Sequence, residues 1–520
     1  MLPSRPDRRA VPACRQASWA ALGCLLAGTA AAQTIAPSSA LATGPGRSWQ
    51  VQPLATVSQT FSDNFQLSAV SPASDAITRL TGGIQISNNA GPLRGYLDYS
   101  LTGLLYARHS ELNTLQNNLS SAFTADLVPG RARLDVTGSV SRSAVSAFAA
   151  QPGQTTGVQA NSTELRRLRV APSAVGPLAQ DLRYSAKLVL EATDARDAIV
   201  GDATTGSLAV HIEPSNRAVV GWSLDGSLLR SDFKAGRATS DDRLFGSLRW
   251  RIDSLDTELS GSGGIEYSDM TSAARQRFTN WGLGATWTPS PRTTATAQYE
   301  DRFYGPSRRL SLDHRTALTS WHLAKGRSLS TSGGQGELGG RGTAFDLLFA
   351  QFATAVPDPG KRSDLVNAYL SALGIAPGAE PGFLRSTVLV QDFEEASMAW
   401  RGPRDTAVLS WTRSRSTRLG AQPGVADDLS VSDAVALQGL SLDLSHRLTP
   451  ESSVGLVLSR QRGNGLAANQ NNLQRKLGLR YALRPTANSS VNLGFSRTLA
   501  DSFPAPYDET ALVVTLGYRF

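Results

Sequence analysis

The chain has 520 residues, 41% of them hydrophobic and 18% charged, with a formal net charge of +8, 47 Gly, 26 Pro and 2 Cys. That apolar content excludes a chain disordered by composition, and after residue 32 no apolar run approaches the ~18 residues of a spanning helix, which excludes a helical membrane protein. The basic balance comes from 46 Arg against 5 Lys, scattered rather than clustered, so it marks no nucleic-acid face.

Residues 1–32 are basic first (Arg5, Arg8, Arg9, Arg15), then apolar from Trp19 to Thr29, and end on Ala30-Ala31-Ala32-Gln33. This order predicts a secretory signal peptide cleaved after about Ala32. A competing reading is a lipoprotein signal, with Ala21-Leu22-Gly23 ahead of Cys24; its apolar core is very short. Cleavage takes away Arg5, Arg8, Arg9, Arg15 and Asp7, lowers the charge from +8 to +5, and removes Cys14 and Cys24. An exported chain of this size without a disulfide must be held by a large core or a closed sheet. Residues 33–47 form a short periplasmic segment, too small for a globular N-terminal plug, so function is expected within residues 48–520.

From there the sequence alternates with period two. Leu93–Ala107 places Leu93, Leu97, Leu101 and Leu105 on one face. Arg131–Val140 sets Ala132, Leu134, Val136, Gly138 and Val140 against Arg133, Asp135, Thr137 and Ser139. One apolar and one polar face per segment is the half-buried strand pattern. The connections alternate in length. Ala90-Gly91-Pro92, Pro129-Gly130, Gly402-Pro403-Arg404 and Pro450-Glu451-Ser452 are short turns, and long polar connections lie between them, near 66–75, 143–161 and 418–430. Short turns at one end and long loops at the other are the arrangement of an outer-membrane barrel. The count is about 22 antiparallel strands, given a tight turn near Arg315–Ala317; without that turn it is 20.

Residues 331–385 break the alternation. Phe345, Leu348, Phe349 and Phe352 recur at helical spacing; Asp358-Pro359 offers a cap and a first helical proline, and Val366, Tyr369, Leu370 and Leu373 form a second stripe that Gly374 ends. The expectation is a short helical insert that plugs or caps the barrel mouth through Phe345, Phe349, Phe352 and Tyr369, or else an ornament packed on itself. The final strand places Leu512, Val514, Leu516, Tyr518 and Phe520 on one face and ends on an aromatic. That pattern resembles the C-terminal signal that outer-membrane barrels present to their assembly machinery.

Other motifs carry less. Gly334-Gln335-Gly336-Glu337-Leu338-Gly339 matches a dinucleotide pattern but lacks the strand–helix context that gives it meaning. His109, His211, His314, His322 and His446 stand singly, with no metal spacing. Asp313-His314 is the one suggestive pair for a hydrolase, and neighbours on a strand point to opposite faces. Asp63-Asn64 reads as a polar turn leaving the first strand, with a cation-binding turn as the alternative. No catalytic, cofactor-binding or metal residue is expected, and no cofactor.

The segments Ser48-Trp49-Gln50-Val51-Gln52-Pro53, Gln59-Thr60-Phe61-Ser62-Asp63-Asn64-Phe65, Leu310-Ser311-Leu312-Asp313-His314-Arg315-Thr316 running into Trp321, and Pro357-Asp358-Pro359 resemble the PEP-CTERM system-associated outer-membrane protein family. The resemblance covers most of the mature chain through short motifs. It implies a barrel that accompanies exopolysaccharide machinery and takes part in export or surface handling of a polysaccharide.

The reading is therefore all-β: a large antiparallel transmembrane β-barrel over 48–520 with a helical insert, in the outer membrane of a Gram-negative cell. Its expected role is a porin-like channel or export component, not an enzyme. The alternatives are a structural or adhesive barrel displaying long loops, and a barrel-embedded hydrolase. Expected partners are outer-membrane lipid and lipopolysaccharide, the barrel-assembly machinery, polysaccharide and periplasmic export proteins, and no nucleic acid.

Overall fold

The computed structural model describes residues 49–88, 90–149, 161–196, 200–216, 218–331, 383–420, 427–466, 470–502 and 506–520. Residues 48–520 form one compact unit; the expected signal peptide and the segment 33–47 lie outside the described residues. The unit is a single 22-stranded sheet running from β1 (Trp49–Ser62) to β22 (Tyr507–Arg519). Each strand pairs antiparallel with the next in sequence. The sheet closes when Leu54 to Ser62 of β1 pair with Arg519 to Ala511 of β22. Closure leaves no edge strand, so every ladder group between neighbours finds a partner without help from solvent.

The expected count of 22 holds, and so does the turn it depended on. Thr316 to Leu318 join β14 (Gly305–Arg315) to β15 (Thr319–Ser330), with Thr316 N–H donating to Thr319 O at 2.7 Å. The alternation in loop length breaks most sharply where β13 (Thr293–Arg302) and β14 are joined by Phe303-Tyr304 alone, at the end where most connections are long; residues 503–506, at the same end, form another short connection. That end is called the loop end here; the end carrying Trp49 and Phe520 is the terminal end.

The pairing registers fix which side chains point out. Phe61, Val57, Val51 and Trp49 of β1 share the outer face with Leu512, Leu516 and Tyr518 of β22, and all are exposed. Strand β12 (Gln276–Ser290) presents Trp281, Leu283 and Trp287 outward in the same way. From Leu512 to Tyr518 the apolar stripe runs about 20 Å along the strand. Trp49, Trp222, Trp250, Trp287, Trp321 and Trp400, on β1 and on strands from β9 (Val220–Phe233) to β16 (Leu389–Arg401), all lie outward near the terminal end and border the apolar stripe with amphipathic side chains. Phe520 completes the last strand: its N–H donates to Pro53 O at 3.0 Å and its ring packs edge-on to Tyr518 at 4.9 Å.

The helical insert is a correction in part. The plug residues Phe345, Phe349, Phe352 and Tyr369 lie outside the described residues. Among the described residues there is no helical insert; helix is limited to one-turn 3-10 segments at Ser110–Leu112 and Asp253–Leu255 and one α-helical turn, α1 (Asp428–Val431). Residues 383–388, which the expected insert overlaps, run without helix. Their backbone groups bond to distant segments rather than within a turn: Leu384 N–H donates to Ala144 O, and Val388 O accepts from Leu419 N–H.

Candidate functional site

The inner face of the barrel is polar. Strand β6 (Ser162–Ala179) points Arg167 and Arg169 inward, β10 (Thr239–Ile252) Arg243, Arg249 and Arg251, and β20 (Asn471–Leu483) Lys476 and Arg480. These strands add one inward carboxylate between them, Asp241. Others come from neighbouring strands: Glu213 joins Arg183 and Arg249, each at 2.6 Å, Asp443 meets Arg480 at 3.1 Å, and Asp225 meets His211 at 2.6 Å. Arg302 sits between Asp241 and Glu266 near the loop end. A wall with this composition is wetted by water, and its excess of fixed cations lowers the electrostatic energy of an anion inside.

The loop end has the opposite character. Twenty-two strands at ordinary spacing and tilt enclose a cylinder roughly 40 Å across. Here the wall of β5 (Ala132–Ala144) to β9 (Val220–Phe233) instead touches the wall of β15 to β18 (Ala434–Arg447). Thr205 on β8 (Ala203–Pro214) reaches the carbonyl of Thr331 at 3.5 Å, a contact spanning 126 residues. Ala203 and Phe233 from one wall pack with Val388 and Val390 from the other, together with Met270, Phe303 and Tyr304.

Residues 383–388 are the wedge between the walls. Leu384 is fully buried against Leu165 and Ala195. Phe383 packs on the opposite side with Leu389, Leu429 and Val435. Ser386 accepts from Gly201 N–H at 3.3 Å and donates its own N–H to Asp427 Oδ2 at 3.1 Å. Two glycines make the fit. At Gly201, φ is +99° and a Cβ would sit 3.0 Å from Leu384 Cδ2; at Gly420, φ is +76° and a Cβ would sit 2.8 Å from Met270 O.

A second contact latches the walls. Asp428 in α1 accepts from Ser146 Oγ at 2.8 Å and from Ala147 N–H at 2.6 Å, 282 and 281 residues away. Burial raises the Asp428 carboxyl above its ordinary value, against the pull of those two hydrogen bonds, and the neighbouring Asp427 adds to the rise. Burial also lowers the Arg385 guanidinium to about 10; its Nη2 donates to Ser330 Oγ.

The single histidines fall apart by face. Asp313 points inward and pairs with His322 at 2.7 Å, while His314 points outward, with Nδ1 2.9 Å from Thr293 Oγ1. The Asp313-His314 pair is therefore not a catalytic couple. Asp63-Asn64 is a structural turn: Asn64 bonds Ser68 through both ends of its amide and Asp508 O, and Asp63 accepts from Thr510 N–H. The glycine motif at 334–339 lies outside the described residues. Among the described residues no group of three or more His, Cys, Asp or Glu is placed to hold a metal ion.

Leu512, Val514, Leu516 and Tyr518 share the outer face. Sequence reasoning missed the wedge and the latch. Their partners lie far along the chain, and no periodicity marks them.

No family model matches the chain, and no curated protein matches it. Among solved structures, the FrpB iron transporter from Neisseria meningitidis (F5-1 variant) is similar at a TM-score of 0.47 and 9% identity, covering 90% of this chain and 82% of that one. The siderophore receptor PirA from Pseudomonas aeruginosa gives 0.42 and 11%, covering 91% and 80%. The outer membrane protein opdK from Pseudomonas aeruginosa gives 0.31 and 11%, covering 91% and 99%. At these scores the likeness bears on neither cargo nor mechanism.

Proposed function

We propose that this chain is an outer-membrane β-barrel that passes anionic solute or polymer and is held shut at its outer mouth by its own loops. The terminal end then faces the periplasm and the loop end faces outward. The apolar belt with its tryptophan border supports the membrane placement. The observation that carries the passage role is the polar inner wall, where inward Arg and Lys outnumber the inward carboxylates they pair with. An exopolysaccharide or its precursor is the cargo the family resemblance implies, with periplasmic export proteins as partners. Residues Leu512 to Phe520 serve as the signal to the assembly machinery.

Conductance of the refolded mature chain in a planar bilayer tests this reading. Brief anion-preferring openings support it, and cation preference in a salt gradient overturns it. A second reading is a sealed barrel that displays its loops, favoured by the buried wedge at 383–388. Silence from a properly inserted barrel, persisting after the wedge is cut back, selects that reading.

A further inference from the structure

We propose that the outer surface of β14 to β20, at the loop end, is a binding site for a phosphorylated glycolipid of the outer leaflet. The proposal rests on the outer-membrane reading and deepens it by giving the expected lipid partner a place on the barrel and the phosphate chemistry that holds it there. The registers put Arg308, Arg327, Asp392 and Arg415 side by side on the outward face, in one row across β14, β15, β16 (Leu389–Arg401) and β17 (Asp405–Arg418). The row beneath carries Lys325, Glu394 and Arg413. Five cations against two carboxylates leave a net +3 on this wall.

The carboxylates are shared rather than neutralising. Glu394 meets both Lys325 at 2.8 Å and Arg413 at 3.7 Å, while Asp392 stands 3.9 Å from both Arg308 and Arg327. Farther round, Arg460 on β19 (Ser452–Asn464) pairs in register with Arg475 on β20, which stands 3.5 Å from Asp501. Most of these side chains are about half exposed, as Arg308, Lys325 and Arg413 are.

Position makes the patch specific. Directly below it the same outward face turns apolar, with Leu310, Leu323 and Trp411 exposed. A ligand with anionic phosphates over acyl chains meets both halves, since guanidinium groups take phosphate oxygens in bidentate pairs and the belt takes the chains. The outward strand positions of β1, β2 (Asp75–Asn88), β3 (Leu93–Tyr106) and β4 (Thr114–Val128) carry no charged residue at all. Near the terminal end the outward strand positions carry tryptophan but no Arg or Lys. A general affinity for membranes requires neither asymmetry.

The test inserts the full mature chain into phosphatidylcholine vesicles and scores insertion by protease resistance. Bisphosphorylated lipid A or its dephosphorylated form is then added, and the lipid retained after detergent extraction is measured by native mass spectrometry. Retention about tenfold higher for the phosphorylated form is expected, in line with several charge-assisted contacts. The variant R308Q/K325Q/R327Q/R413Q/R415Q is expected to lose that preference. Arg230→Gln, an outward loop-end position on β9, is expected to keep it. Equal retention of the two lipids by the unaltered chain overturns the proposal, and this comparison needs no variant. A folded variant that keeps the full preference also overturns it. Failure to insert overturns the outer-membrane reading and the lipid site together, whereas insertion without phosphate preference overturns the lipid site alone.

Discussion

Asp428 shows how one carboxylate can hold two walls of a barrel together. Its oxygens satisfy Ser146 Oγ and the Ala147 N–H across the loop end. Replacing it with Ala strips a buried donor of its acceptor, which costs about 1–3 kcal/mol locally. Asp428→Ala is therefore expected to lengthen channel openings in a planar bilayer while strand content by circular dichroism stays unchanged. The raised Asp428 carboxyl sets the sign of the pH response. The closed state holds the proton more tightly than the open one, so closure is strongest at acid pH and weakens as pH rises above about 4. Open probability recorded from pH 4 to pH 8 is expected to rise. Asp428→Asn, which keeps an acceptor and loses the charge, is expected to flatten that dependence.

At the scale of elements, the strands were legible and the residues that join the two walls at the loop end were not. A strand such as Gln276–Ser290 announces itself through Trp281, Leu283 and Trp287 because the membrane-facing side repeats every second residue. That pattern, with the turns between, located the barrel, its strand number and the turn after Arg315. The wedge carries no such signal: Leu384 meets Ala144, Leu165 and Ala195, residues set apart in sequence and brought together only when the sheet closes and narrows. The two-residue Phe303-Tyr304 connection was also hidden, since its rings serve the loop-end core rather than a turn motif. Two substitutions separate these layers. Leu384→Ala empties a fully buried site and is expected to cost about 2–5 kcal/mol of local packing, read as larger conductance with the barrel intact. Leu283→Arg puts a charge on the lipid face of β12 and is expected to cost about 2–4 kcal/mol of barrel stability in urea unfolding from vesicles, without altering conductance.

Across the whole molecule, three surfaces divide the work. The outer belt suits hydrocarbon, the inner wall suits water and anions, and the loop end withdraws from both by packing apolar side chains between opposite walls. On the proposed function, the cationic interior favours anions in the passage and the wedge holds its mouth shut.

The most direct measurement is single-channel conductance of the refolded mature chain beside its Asp428→Ala and Leu384→Ala variants, with reversal potentials in a salt gradient. Small, brief, anion-preferring openings are expected from the unaltered chain, and large steady steps of the same selectivity from both variants. Cation preference, or silence from inserted barrels whose latch and wedge have been removed, would contradict a closed anion passage.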